Sequence, residues 1–232
     1  MNESPLLLVE LLAEEIPAWM LEERLAILRS RLEELFGEYE GGPMDAARIH
    51  CDATSRRIWF SVEGLESKQP DREEEIKGPP ESVALEDGEP TKAFEGFLRK
   101  NQASAEDVEI RDGYLWLQRR VEGLSLSRFV ADRLPSIIEE IRWPKMMRWG
   151  TGDEAFIRPI HSVVAFYGAE MIDLEIFEIR SSSITSGHRT RGDQVVEIES
   201  AETWEATLQG QTIVPRVVDR VTKLKSTAQK LA

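Results

Sequence analysis

The chain has 232 residues, enough for one large domain or two small ones, and its 31% charged and 41% apolar content is that of a folded soluble protein. A formal charge of −14 opposes diffuse attraction to polyanions, so any nucleic-acid contact has to be local. One cysteine can form no internal disulfide and no cysteine-rich zinc site, no apolar run approaches the ~20 residues that span a bilayer, and the opening residues lack the basic region of a secretory signal, so a reducing cytoplasm is the expected compartment.

Leu6 to Leu12 is an apolar run broken only by Glu10, the pattern of a strand covered on both faces. Glu14, Glu15, Ile16 and Pro17 then turn the chain into a helix, with Pro17 in the first turn where its missing donor costs nothing. Leu21, Leu25, Leu28, Leu32 and Leu35 repeat at spacings of four and three and predict one apolar face, ended by the segment from Gly37 to Pro43. Ala46 to Asp52 and Arg57 to Leu65 read as two strands around a short turn. Glu66 to Pro80, with its prolines, predicts a fixed loop or an edge strand rather than a flexible linker.

Thr91 is placed to cap a helix carrying Phe94, Phe97 and Leu98, and Ser104 to cap a short turn. Val108 to Val121 reads as a hairpin about Asp112-Gly113. Ser125 or Ser127 opens a helix through Ile141. Ile160 to Tyr167 and Met171 to Ile179 predict a second hairpin about Gly168, Val195 to Ile198 a short strand, and Ser200 to Leu208 a helix that Gly210 terminates. Gln211 to Val214 reads as strand-like, and Pro215 starts a basic helix. Hairpins outnumber strand-helix-strand crossovers, so the expected class is α+β with mostly antiparallel sheets. The expected division is one α+β domain over residues 1–200, followed by the start of a helical region at 201–232.

Between Trp143 and Gly168, two tryptophans and two adjacent methionines stand with Lys145, Arg148 and Arg158 around a Gly-x-Gly turn at Gly150 and Gly152. That mixture predicts a packed wall presenting cations at its rim. Arg148 and Arg158 lie in apolar surroundings, so each needs an acidic partner in the fold or a phosphate outside it. The serine-rich loop before Gly187, His188 and Arg189 exposes those residues either as plain loop or as a contact for a partner. Acidic and basic residues are unevenly spread: residues 1–40 hold ten acids and three bases, whereas 216–232 hold five bases and one acid.

Signals for chemistry are sparse. His50, His161, His188 and Cys51 lack the converging spacings of a metal site. His50 and Cys51 are adjacent in a predicted strand and so point to opposite faces, which disfavours a thiol-imidazole pair. Glu14 and Glu15 fall where acids commonly serve a helix dipole, and no third group marks a reacting centre.

Several blocks resemble one family. Leu8, Glu10, Glu14, Glu15, Ile16, Pro17 and Ala18 match L-L-x-E-I-G-T-E-E-L-P-A, with Leu12 and Ala13 in place of the Gly-Thr pair. Arg56 and Arg57 match the end of A-T-P-R-R, with Ser55 for proline, and the segment from Glu66 to Pro80 matches E-K-Q-P-D-R-x-x-x-x-K-G-P-P. Pro144, Lys145, Met147, Arg148, Trp149, Gly150, Phe156, Arg158, Pro159 and Ile160 match P-K-S-M-R-W-G…F-x-R-P-I-R-W, with His161 for its arginine. Gly187, His188 and Arg189 match T-x-G-H-R-F, with Thr190 for the aromatic residue, which removes a stacking role there. Together these are similar to the N-terminal part of the beta subunit of the bacterial two-subunit glycyl-tRNA synthetase.

The resemblance implies a fold similar to the B3/B4 module of phenylalanyl-tRNA synthetase beta subunits, and an assembly of two alpha and two beta chains that joins glycine to its tRNA. ATP and magnesium would be used in the alpha subunit, with no cofactor, metal or catalytic residue in this chain. Glycine tRNA, the alpha subunit and a second beta subunit are the implied partners, and no membrane is. The RNA-facing candidates are Arg56, Arg57, Lys77, Lys145, Arg148, Arg158, His188 and Arg189. The alternatives are a stand-alone hydrolase acting on aminoacyl-tRNA and a purely structural module that docks the alpha subunit.

Overall fold

The computed structural model describes residues 4–42, 48–86, 88–149 and 155–231. Its principal strands are β1 (Leu7–Ala13), β2 (Ile49–Ala53), β3 (Arg57–Val62), β4 (Arg72–Pro80), β5 (Val108–Arg111), β6 (Tyr114–Val121), β7 (Ile160–Tyr167) and β8 (Glu170–Met171). Its principal helices are α1 (Leu21–Gly37), α2 (Lys92–Asn101), α3 (Leu126–Glu140), α4 (Trp204–Gly210) and α5 (Val217–Leu231). Helices and antiparallel sheets make the chain α+β. Two compact units emerge, Met1–Gln69 with Ser125–Ala232, and the intervening Pro70–Leu124. Residues on both sides of position 200 fall in the first unit, and the separate unit is an insertion that the sequence reading did not delimit.

The first unit is built on an antiparallel sheet of order β8-β7-β1-β3-β2. β1 is paired on both edges and all seven of its residues are buried. Leu7, Val9 and Leu11 face one core with Phe60, Val62, Val163 and residues of α1 and α3. Leu8 faces the other with Trp59, Val164, Phe166, Val196, Trp204 and Leu208. Two covered faces are the reason its sequence does not alternate. Fully burying a leucine or phenylalanine side chain stabilises by about 1.5–3 kcal/mol, so this doubly covered sheet dominates the stability of the unit.

Three segments differ from expectation. The return arm after Gly168 pairs over only Glu170–Met171, and Glu175–Ile176 then folds onto Ile179–Arg180. Phe177 and Glu178 adopt left-handed backbone (φ 53° and 61°), which makes a turn where a straight strand was expected. The helix after Ser200 starts at Trp204, and Ser200 Oγ accepts the Thr203 N–H at 3.2 Å. Gln211 to Val214 forms no strand, and Ile213 packs instead into the Trp59 and Trp204 cluster.

α5 is held at its first turn. Asp52 Oδ2 accepts the Val217 N–H at 2.8 Å and Asp52 Oδ1 accepts the Ala53 N–H at 2.6 Å. Arg220 donates to the carbonyls of Val214, Pro215 and Ala53 at 2.7–2.8 Å. No residue of α5 is buried, so these contacts carry the docking of the helix.

The inserted unit is a three-stranded antiparallel sheet of order β4-β6-β5. Asp112 and Gly113 both have positive φ (53° and 71°), as a primed hairpin turn requires. Leu115, Phe94 and Ala84 form its small core, and Thr91 Oγ1 accepts the Ala93 N–H to cap α2. A Cβ on Gly78 would meet the Phe97 ring at 2.9 Å and Leu115 Cβ at 3.0 Å, so the glycine of the K-G-P-P block is imposed by packing. On the solvent side, Arg111 pairs with Glu75, Arg119 with Glu74 and Arg120 with Asp71.

One polar cluster interrupts the apolar interior of the first unit. Glu10 is 0% exposed and Arg57 3%. Arg57 Nε lies 3.4 Å from Glu10 Oε2, an ion pair not aligned as a hydrogen bond. Trp204 donates its Nε1–H to Glu10 Oε2 at 2.6 Å, and Thr185 donates its hydroxyl to the other oxygen. Arg57 also donates to the Ser186 carbonyl. Burial pulls Arg57 below its ordinary basicity, and Glu10 opposes that shift.

Removing one partner of such a pair leaves a buried uncompensated charge. Glu10→Leu is expected to cost about 3–5 kcal/mol in urea denaturation, and Glu10→Leu with Arg57→Leu to be more stable than Glu10→Leu alone. Asp52→Ala is expected to lower stability by about 1 kcal/mol and to melt part of the 222 nm helical signal below the main transition, as α5 loses its cap.

Candidate functional site

Two turns at the end of the central sheet are laced together by main-chain bonds. Ala13 N–H donates to the Arg56 carbonyl at 2.8 Å, Ile16 N–H to that of Ser55 at 2.6 Å, and Glu14 N–H to that of Pro159 at 3.0 Å. Beside them runs the loop carrying His188 and Arg189. Gly187 N–H donates to the Asp193 carbonyl at 2.7 Å, and a Cβ there would lie 2.8 Å from that oxygen, so only glycine closes this loop. His188 N–H donates to the Gln211 carbonyl at 3.2 Å, which ties the loop to the segment before α5.

The turns, this loop and the start of α5 enclose a cleft of about 690 Å³. Arg56, His188, Arg189 and Arg220 line it together with Glu15, Thr54 and Ser55. Arg189 donates to Glu15 Oε1 at 2.9 Å. Arg56 donates from Nε to the Ala13 carbonyl at 3.3 Å, and Arg220 to three carbonyls. Among the described residues neither Arg56 nor Arg220 forms an ion pair with a carboxylate. A carbonyl orients a guanidinium without neutralising it, so both keep a full charge and spare donors directed by the fold. Such a site suits bidentate binding of a phosphate or carboxylate.

A second polar pair borders the same turn. His161 Nε2 lies 2.7 Å from Glu14 Oε1. Its hydrogen bond holds the Glu14 carboxyl below its usual value, and the charges of Arg56 and Arg189 act in the same direction.

The eight sequence candidates separate. Arg56, His188 and Arg189 converge on the cleft. Arg57 touches its wall but is buried and engaged by Glu10, so it leaves the set of surface cations. Arg158 donates to the carbonyls of Glu15 and Ile157 at 2.9 and 2.7 Å and braces the turn without lining the cleft. Lys145 and Arg148 are exposed on a wall built by Trp143, Phe156, Phe177 and Trp149, whose rings stack at 5.0–5.7 Å, but they do not line the cleft. Gly150 and Gly152 lie outside the described residues. Lys77 belongs to the inserted unit, its Nζ 3.6 Å from the centre of the Tyr114 ring.

Arg220, Thr54 and Ser55 are among the cleft residues that sequence reasoning missed. Arg220 reads as one more cation of a basic helix, and only the docking of that helix on Asp52 and Ala53 brings it to the cleft. Cys51 and His50 do face opposite cores: Cys51 packs with the α1 side, and His50 stacks on Trp59 at 5.1 Å. Burial raises the Cys51 thiol to about 12, far from a reactive thiolate. Among the described residues no group of three or more His, Cys, Asp or Glu is arranged to hold a metal ion, and no helix is long and apolar enough to cross a membrane.

Comparison with known proteins accords with these blocks. The family model described as glycyl-tRNA synthetase beta subunit matches residues 7–232. The chain is 36% identical over 214 residues to the glycine-tRNA ligase beta subunit of Thermotoga maritima, covering 92% of this chain and 31% of that protein. It is 40% identical over 183 residues to the same subunit of Thermotoga petrophila, covering 78% and 27%. With that of Gloeothece citriformis it shares 32% identity over 236 aligned positions, covering 98% and 32%. The chain thus spans about a third of the length of these relatives. With nearly its whole length matched, the chain belongs to the glycyl-tRNA synthetase beta subunit family.

Proposed function

We propose that this chain is the N-terminal, tRNA-binding and architectural part of a glycine-tRNA ligase, and that the arginine cleft contacts the sugar-phosphate backbone of glycine tRNA. Its main support is the convergence of Arg56, Arg189 and Arg220 with His188 on one cleft, with Arg56 and Arg220 held by carbonyls rather than carboxylates. In a chain of net charge −14, uncompensated cations gathered in one place are what a local anion contact needs. Membership of a glycyl-tRNA synthetase subunit family supports tRNA as that anion.

In this proposal the chain supplies no catalytic group. Glycine is joined to tRNA with ATP and magnesium in the alpha subunit, and two alpha and two beta chains assemble in the cytoplasm. The B3/B4 likeness carried by the sequence is part of the same proposal. The beta subunit's share is then positioning: binding the body of the tRNA raises the effective concentration of its acceptor end at a distant active site.

Filter binding to glycine tRNA over a salt series tests this. The logarithm of affinity is expected to fall linearly with the logarithm of salt concentration, and Arg56→Glu is expected to weaken binding about tenfold and reduce that slope by about one. Arg189→Glu is expected to do the same. Unchanged affinity in both variants, with intact folding by circular dichroism, removes the cleft from the RNA contact.

A further inference from the structure

Beside the arginine cleft lies a second recess of about 670 Å³. Its walls are mainly apolar, from Ile16, Ala18, Leu21, Leu25 and Val217. Thr54, Ser55 and Arg220 line both spaces, so the two share a polar wall with a guanidinium in it. Ala18, exposed at the recess, is followed by Trp19, which is 68% exposed and the most exposed aromatic among the described residues.

We propose that this recess receives the base of an unpaired RNA nucleotide whose phosphate lies in the adjoining arginine cleft. The proposal rests on the cleft being an RNA contact and names the kind of RNA element that it takes. Three features favour this occupant. A nucleotide is a flat, weakly polar base joined to an anion, and an apolar recess opening onto uncompensated arginines presents the matching pair of environments at adjoining positions.

The shared wall also suits the link between them. Thr54 Oγ1 accepts the Arg56 N–H at 3.2 Å, which leaves its own proton to donate, and Ser55 beside it is exposed. Hydroxyls there can meet the ribose or the polar edge of a base, and neither role would be served by a purely aliphatic guest. Finally, a paired base is held in its stack and cannot enter a recess, so the site selects single-stranded or looped RNA over duplex. Of the carboxylates that line the two spaces, Glu15 is paired with Arg189 and both oxygens of Asp52 accept main-chain N–H groups, while Glu22 lies on the recess rather than on the arginine cleft.

Fluorescence anisotropy with a labelled single-stranded RNA octamer, and with the same octamer in a blunt duplex, tests the proposal on the purified chain. Ala18→Phe fills the recess from an exposed position and removes no arginine. It is expected to weaken single-strand binding about tenfold, to leave duplex binding unchanged and to melt like the parent chain; Arg56→Glu is expected to weaken both. Unchanged single-strand affinity in Ala18→Phe, while Arg56→Glu still weakens it, would falsify the base recess and leave the arginine cleft standing. Loss of binding to the alpha subunit in Ala18→Phe, with RNA affinity unchanged, identifies a protein occupant and equally overturns the proposal. No binding of either RNA by the parent chain overturns the cleft reading itself.

Discussion

Glu10 is the one carboxylate in the middle of a sheet covered on both sides, and much of the first unit is arranged to satisfy it. An ionised carboxylate moved from water into such an interior is costly unless each lone pair finds a partner. The partners come from three distant parts of the chain: Arg57 on the neighbouring strand, Thr185 in the short strand Ile184–Thr185, and Trp204 at the start of α4. An ion pair of this kind adds little net stability over apolar residues of the same size, yet it is demanding about geometry. Its consequence is register: β1, β3 and the 185–204 segment satisfy the carboxylate in one mutual arrangement.

That arrangement reaches the cleft through short links. Arg57 is followed backward by Arg56 and Ser55, whose carbonyls accept from Ala13 and Ile16. Thr185 and Ser186 lead directly into Gly187, His188 and Arg189. Thus the two chain segments that Arg57 ties together through Thr185 and Ser186 are two of those that present cations to the cleft. Adjacent residues with opposite fates, Arg57 inward and Arg56 outward, follow from the alternation of a strand.

Much of this was legible in the residues. The uninterrupted apolar run of β1 announced a strand with no wet face, and Asp112-Gly113 announced its hairpin because few other pairs tolerate positive φ twice. Family blocks carried Arg56, His188 and Arg189, and Arg220 lay outside them. Arg57 stands among the RNA-facing candidates through the A-T-P-R-R match, and nothing local reveals a carboxylate that is 47 positions away. Arg220 was missed for a related reason. Helical periodicity describes faces, whereas its role depends on the end of α5 being docked by Asp52, a contact spanning 165 positions. The inserted unit was not delimited in the sequence because its own core is small.

The wall around Trp143 and the cleft solve the same problem differently. On the wall, aromatic packing fixes the backbone, and Lys145 stands exposed on a long stem. In the cleft, carbonyls fix the guanidinium groups of Arg56 and Arg220 themselves. A lysine stem loses about 2 kcal/mol of rotamer freedom when it orders on a ligand, whereas a guanidinium already held by carbonyls has lost much of it on folding. The cleft therefore suits a contact with an anion whose position is defined.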